Sequence, residues 1–164
     1  MADPIATGDG DGKRLGEFEL RVRAPEGLLF TGPVVALRVP SVDGHLGVLA
    51  NHAPMLAALR CGIMQVLHPT GEREVMAVGD GFAEVTRKGV SLVVHFLDFP
   101  RGIDRQRAHL AMGRALARLR RETEEEGLDL VRAEAALCRS IARLSVCGCG
   151  CVMCHEAKAV PRRG

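Results

Sequence analysis

Cys147, Cys149, Cys151, Cys154 and His155 fall within nine consecutive positions near the end of the sequence. Thiolates and an imidazole at this density can close a soft-metal site for Zn or Cu(I). Cys151 to His155 also spell C-x-x-C-H, the signature of covalent haem attachment. Two features argue against such chemistry. Haem attachment occurs outside the cytoplasm, whereas the opening stretch MADPIATGDGDGKRLG carries neither an apolar signal core nor the Arg-rich amphipathic pattern of a transit peptide. A zinc finger needs a second ligand pair at matching spacing, and the sequence offers none. The expected state of residues 147–164 is therefore a Cys-rich disordered tail. His45 and His52, with Asp43 nearby, have no Ser, Cys or third ligand close in sequence. They are expected to be turn histidines bonded to backbone, not catalytic bases. Cys61 and Cys138 read as isolated small buried hydrophobes.

A second set of residues suits electrostatic work. Arg107, Arg114, Arg118 and Arg121 recur at i, i+7, i+11 and i+14, one stripe of a 3.6-period helix. Arg132, Arg139 and Arg143 share one face of a second helix, opposite its leucines. Glu122, Glu124, Glu125, Glu126 and Glu134 stand near them, so one reading is a pair of solvated charged faces. Folded side by side, the helices would instead gather guanidinium groups that repel one another unless an anion fills the gap. Arg bonds phosphate through bidentate, charge-assisted hydrogen bonds. Opened out, the same Arg face suits an acidic protein surface.

These residues sit on elements that the pattern of the chain defines. Residues 1–16 mix Gly, Asp and small residues without periodicity and read as a disordered leader. From residue 17 to residue 99 the pattern is β. Phe18, Leu20 and Val22 alternate with Glu19, Arg21 and Arg23. Further strands are expected at Leu28–Phe30 (closed by Thr31-Gly32-Pro33), Val34–Val39, Met55–Leu59, Gly62–Leu67, Glu74–Val78, Phe82–Val85 and Val90–Phe96. Gly79-Asp80-Gly81 reads as a tight turn needing positive φ. Short strands at this spacing predict an antiparallel sandwich or barrel. Residues 100–146 then switch to Ala, Leu and Arg. A first helix is expected from Ile103 to Glu126, with Asp104 in its first turn and Gly127 as its C-cap. Asp129 caps a second that runs to about Val146, with Leu130, Ala133, Leu137, Ile141 and Leu144 as its apolar stripe. The class is α+β: an N-terminal antiparallel β-sandwich followed by a C-terminal α-helical hairpin.

The totals narrow the function. The chain has no Trp and no Tyr and a net charge of +2. It therefore lacks the stacking platforms and the strong basic charge of many nucleic-acid binders, and no nucleic-acid partner is expected. No run approaches the roughly 20 apolar residues of a membrane span. With no export signal, the chain is expected to stay in the cytoplasm, with its cysteines reduced.

Between them, LRVPSVDGHLGVLANHAPMLAALRCGIMQV, VMAVGDGFAEVTRKGVSLVV and IDRQRA (Ile103–Ala108) resemble the ε-subunit family of the F-type rotary ATP synthase, called δ in mitochondria. The order of parts, with the IDxxRA pattern opening a helical pair directly after the β-module, makes the combined match specific. The resemblance covers about Phe18 to Val146. It implies a non-catalytic rotor subunit with a ten-stranded sandwich and a helical hairpin. The sandwich would bind the base of the γ shaft and the polar loops of the c-ring, as a peripheral part of the complex on the cytoplasmic face of the bacterial plasma membrane. The tip that meets the c-ring matches Val42, Asp43, Gly44 and His45; many relatives carry a carboxylate where His45 stands.

The resemblance further implies that the hairpin regulates hydrolysis. Extended, it blocks ATP hydrolysis, with basic residues meeting acidic parts of the catalytic α and β subunits. Folded against the sandwich, it is permissive, and in some relatives ATP holds that form. The matching positions are Asp98, Ile103, Asp104, Arg107, Ala108, Arg114, Arg139 and Arg143. No cofactor is required; ATP would be a regulatory ligand and not a hydrolysed substrate, since the sequence has no Walker-type Gly-rich loop. The rival reading is a cytoplasmic metal- or redox-responsive protein that uses the C-terminal Cys cluster.

Overall fold

The computed structural model describes residues 16–120 and 129–148. Ten strands precede a 3₁₀ turn and two helices. They are β1 (Phe18–Ala24), β2 (Gly27–Val34), β3 (Ala36–Ser41), β4 (Gly44–Leu49), β5 (Met55–Leu59), β6 (Gly62–Leu67), β7 (Arg73–Val78), β8 (Gly81–Thr86), β9 (Gly89–Val94) and β10 (Leu97–Asp98). The helices are α1 (Arg105–Leu119) and α2 (Leu130–Val146).

The strands form two layers, β4-β3-β6-β7-β10 and β5-β8-β9-β1-β2, joined at the single pair Ser41–Leu59. Period-2 alternation aims one side of each strand inward. Leu20 and Val22 from one layer thus meet Leu37, Val39, Met64, Val66, Met76 and Val78 from the other in one fully buried core. At roughly 1.5–3 kcal/mol per large side chain, this burial is the main driving force for the sandwich.

Three sequence expectations change here. First, β1 pairs with β9 in parallel, while every other strand pair is antiparallel. Antiparallel pairing is compulsory only where a short hairpin joins two strands. The whole of β2 to β8 separates β1 from β9, so that constraint is absent. Second, β2 does not stop at Phe30. It runs through Pro33, which lies opposite Glu19 on the outermost strand, where a missing N–H leaves no ladder bond unmade.

Third, neither Gly79, Asp80 nor Gly81 has positive φ. The glycines are needed for space. A Cβ on Gly79 would stand 2.7 Å from the Phe96 ring, and one on Gly81 would run into the Val93 carbonyl oxygen. The left-handed backbone occurs elsewhere, notably at Gly44 and at Asn51 (φ 64°).

Both helices are capped by aspartate. Asp104 stands just before α1, not inside its first turn, and its carboxylate accepts from the Arg107 N–H at 3.0 Å. Asp129 accepts from the Arg132 N–H at 3.0 Å in the same way. The described part of α1 ends at Leu119, with Arg120 as C-cap. The expected continuation to Glu126, the Gly127 cap and Arg121 all lie outside the described residues, as does the leader apart from Gly16. Met112, Leu116, Leu137 and Leu144 bury the faces the two helices share. Beyond them, α2 presents Ala142, Cys138 and Val146 to the sandwich, against Cys61, Ala77 and Phe96. On β7, Met76 and Val78 point into the sandwich core while Ala77 points out against α2, so this strand is buried on both faces.

Candidate functional site

Two regions carry the residues singled out from sequence. The first is the tip of the β3–β4 hairpin. Ser41 pairs with Gly44, which leaves Val42 and Asp43 as a two-residue turn, and Pro40 pairs with His45. The positive φ of Gly44 (131°) permits the reversal. Val42, Asp43, Gly44 and His45 are all exposed, and the Val42 side chain is an exposed apolar group. The Val42 N–H donates to the Ala58 carbonyl at 3.1 Å and the Arg60 N–H to Pro40 at 3.1 Å, so β5 braces the tip. At the far end of β4, His52 bonds the backbone, with Nδ1 2.9 Å from the Ala53 carbonyl.

The second region is the seam where α2 lies on β6 and β7. Arg143 Nε donates to Asp98 Oδ2 at 2.7 Å, which ties the last turn of α2 to β10. The Arg143 guanidinium also lies over the Phe96 ring, 4.8 Å from its centroid. This arrangement combines a charge-assisted hydrogen bond with a cation–π contact. The Arg143 and Asp98 side chains stay about a third exposed (36% and 31%), so water screens the pair. Arg143 thus faces the sandwich, which for this residue goes against the reading of a solvated charged face. The reason is that α2 has a second, narrower apolar strip, Cys138-Ala142-Val146, and Arg143 flanks it.

Two thiols reinforce the seam. Cys138 Sγ donates to the Cys61 carbonyl at 3.2 Å, and Cys147 Sγ donates to the Pro100 carbonyl at 3.7 Å. The Cys61 N–H in turn donates to Asp80 Oδ1 at 2.8 Å. Contact with the Cys138 thiol, then burial, pushes the Cys61 thiol far above the usual thiol range; Asp80 adds to the rise and Arg139 opposes it.

Of the sequence-selected nucleotide set, Asp98 and Arg143 are brought into direct contact, as are Asp104 and the Arg107 backbone. Ala108 is buried in the helical seam, Ile103 and Arg139 are half-buried, and Arg107 and Arg114 are exposed. A surface groove of about 340 Å³ lies elsewhere, over β1, β8 and β9, lined by Glu19, Arg21, Arg23, Glu84 and Lys88. It contains none of that set. Cys147 of the proposed tail ligands is described; Cys149, Cys151, Cys154 and His155 lie outside the described residues. Among the described residues no group of three His, Cys, Asp or Glu is placed to hold a metal, and no helix is long and apolar enough to cross a membrane. Sequence reasoning missed Phe96, Pro100 and the pairing of Cys61 with Cys138. No spacing signal marks them, because each contact joins parts of the chain far apart in sequence.

A sandwich with an exposed hairpin tip and a helical pair held against its side is the architecture of a rotor-stalk subunit, and comparison with known proteins agrees. Residues 17–96 match the family model for the ATP synthase delta/epsilon chain β-sandwich domain, and residues 101–148 match its long α-helix domain. The ATP synthase epsilon chain of Symbiobacterium thermophilum is 38% identical over 135 residues, covering 82% of this chain and 95% of the relative. That of Syntrophomonas wolfei is 36% identical over 127 residues, covering 77% and 91%. Among solved structures, a chain of the Euglena gracilis mitochondrial ATP synthase (OSCP/F1/c-ring) is similar, with TM-score 0.65 and 26% identity over 83% of this chain and 84% of that one.

The chain belongs to the ATP synthase delta/epsilon family. Within it the curated relatives are epsilon chains, and this chain is a non-catalytic central-stalk subunit of the membrane-associated F-type ATP synthase. The comparisons give the metal- or redox-responsive alternative no support.

Proposed function

We propose that the sandwich couples the γ shaft to the c-ring through the tip at residues 42–45, on the cytoplasmic face of a bacterial plasma membrane, and that the hairpin is a releasable arm that restrains ATP hydrolysis when it leaves the sandwich. The observation that carries the second part is the character of the α2 seam. Its fully buried apolar contacts are small side chains, Cys61, Ala77 and Ala142, with Cys138, Val146 and Phe96 only partly buried against them, and its polar tie, Arg143 to Asp98, is partly exposed. Such a seam holds α2 without committing it, because small side chains bury little area and a screened ion pair contributes about 1 kcal/mol or less. Released, Arg139 and Arg143 become available to acidic surfaces of the catalytic α and β subunits.

ATP is proposed as the ligand of the docked form, through Asp98, Ile103, Asp104, Arg107, Ala108, Arg114, Arg139 and Arg143. Arg143 gives Asp98 its Nε–H. The edge of the guanidinium that carries its two terminal nitrogens is the part that bidentate phosphate recognition would use. The coupling role is tested by His45→Cys in the assembled complex, with a cysteine placed in the polar loop of the c subunit. A cross-link between the two is expected; failure to form one in a fully assembled complex would contradict contact at this tip.

A further inference from the structure

We propose that Cys61 and Cys138 form a reversible disulfide that fastens α2 to the sandwich and so holds the hairpin in its docked form. The inference rests on the hairpin being the releasable arm described above. Cys61 lies at the bend between β5 and β6, on the rotor-binding module, and Cys138 lies on α2, 77 residues later. Both are reduced thiols in this structure. They are in direct contact: Cys138 Sγ reaches the Cys61 carbonyl at 3.2 Å, and Cys138 packs against the small buried cluster that holds Cys61. Two cysteines in one packed contact are the pair from which a disulfide can form once their sulfurs turn toward each other. The pair spans the same seam as Arg143 and Asp98, so a covalent bond there would replace a screened latch with one that no thermal fluctuation opens.

The chemistry is thiol–disulfide exchange with a small-molecule disulfide of the glutathione type. Cys138, the half-buried member, loses its proton and attacks one sulfur of that disulfide. One small thiolate leaves and a mixed disulfide forms on Cys138. Cys61, the buried member, then loses its proton and attacks the Cys138 sulfur, expelling the second small thiolate. Two protein thiols are oxidised by two electrons, the small disulfide is reduced to two thiols, and the two protons end on those products. Burial disfavours the Cys61 thiolate, which assigns first attack to Cys138 and resolution to Cys61. Excess small thiol reverses both steps. The cysteines of the tail are not involved.

The test uses the full chain with Cys147→Ser, Cys149→Ser, Cys151→Ser and Cys154→Ser, so that only the proposed pair can react. It is treated with glutathione disulfide, alone and after assembly into the ATP synthase. The expected products are a chain lighter by two hydrogens and a linked peptide that joins Cys61 to Cys138. Dithiothreitol should remove the link, and either Cys61→Ser or Cys138→Ser should abolish it. Hydrolysis by the oxidised complex should rise to the level of a complex whose chain ends at Gly102, and fall back on reduction. Absence of the linked peptide would overturn the proposal whatever the truncated complex does. A linked peptide with hydrolysis still restrained, in a system where truncation releases it, would overturn the switch but leave the releasable arm standing. If truncation itself fails to raise hydrolysis, the restraining role of the hairpin fails, and the switch fails with it.

Discussion

Arg143 and Asp98 meet at 2.7 Å across the seam between α2 and β10, and they join the matched helical domain to the last strand of the sheet, just past the end of the matched β-sandwich domain. Arg143→Ala and Asp98→Ala should each loosen the docked hairpin. A double-mutant cycle is expected to return a coupling of about 1 kcal/mol or less, because both side chains stay partly in water. The readout is amide hydrogen exchange along α2, which should quicken in both variants while the sandwich strands stay protected. Unchanged exchange in α2 would show that this pair does not hold the seam.

Thiol labelling separates the two faces of the same seam. Cys61 is buried and its thiolate is disfavoured, whereas Cys138 and Cys147 are half-buried. Alkylation of the folded chain should therefore reach Cys61 last. In Arg143→Ala the rate at Cys61 should rise, since loss of the latch opens the seam. Equal rates at Cys61 in both proteins would contradict this.

Leu144 is fully buried between the helices. Leu144→Ala should leave a cavity and cost roughly 2–4 kcal/mol of helical-pair stability. Circular dichroism is expected to record a helical transition at lower temperature or denaturant, with the sandwich transition little changed. A single unchanged transition would place the stability of the pair elsewhere.

Gly81 and Gly102 make a matched comparison. Gly81→Ala would drive a methyl into the Val93 carbonyl, whereas a Cβ on Gly102 meets nothing within 4 Å. The first change should lower the melting temperature by several degrees, in keeping with a cost of about 1–3 kcal/mol for overpacking. The second should leave it nearly unchanged. Equal melting temperatures for the two variants would refute the spatial reason for glycine at position 81.

Calorimetry tests ATP as the ligand of the docked form. The isolated full chain is expected to bind ATP, with binding lost in Arg139→Ala. Absence of heat at millimolar ATP would leave only the acidic-surface role for these arginines.

The particular residues show how far sequence reaches. Met55–Leu59 and Gly62–Leu67 were legible end to end, because turn residues bound an apolar run on both sides. The Asp129 cap and the extent of α2 were legible for a similar reason: a side-chain acceptor just ahead of a 3.6-period stripe. Partnership between distant segments was not legible. Periodicity places Arg143 relative to Leu137 and Leu144, but it does not say that α2 carries a second apolar strip or that β7 receives it. The same holds for β1 beside β9, for Gly79 under Phe96, and for Cys61 beside Cys138. In each case the cause is packing between elements far apart along the chain, and local pattern carries no record of it. The tip at residues 42–45 was legible as a turn, whereas its bracing by β5 required the fold.

The central claim is that the hairpin is a releasable arm and not a fixed part of the stalk. It is tested most directly by measuring ATP hydrolysis in complexes assembled with the full chain or with a chain ending at Gly102. The account predicts that both assemble and that hydrolysis is faster with the truncated chain. Equal hydrolysis in two fully assembled complexes would contradict it.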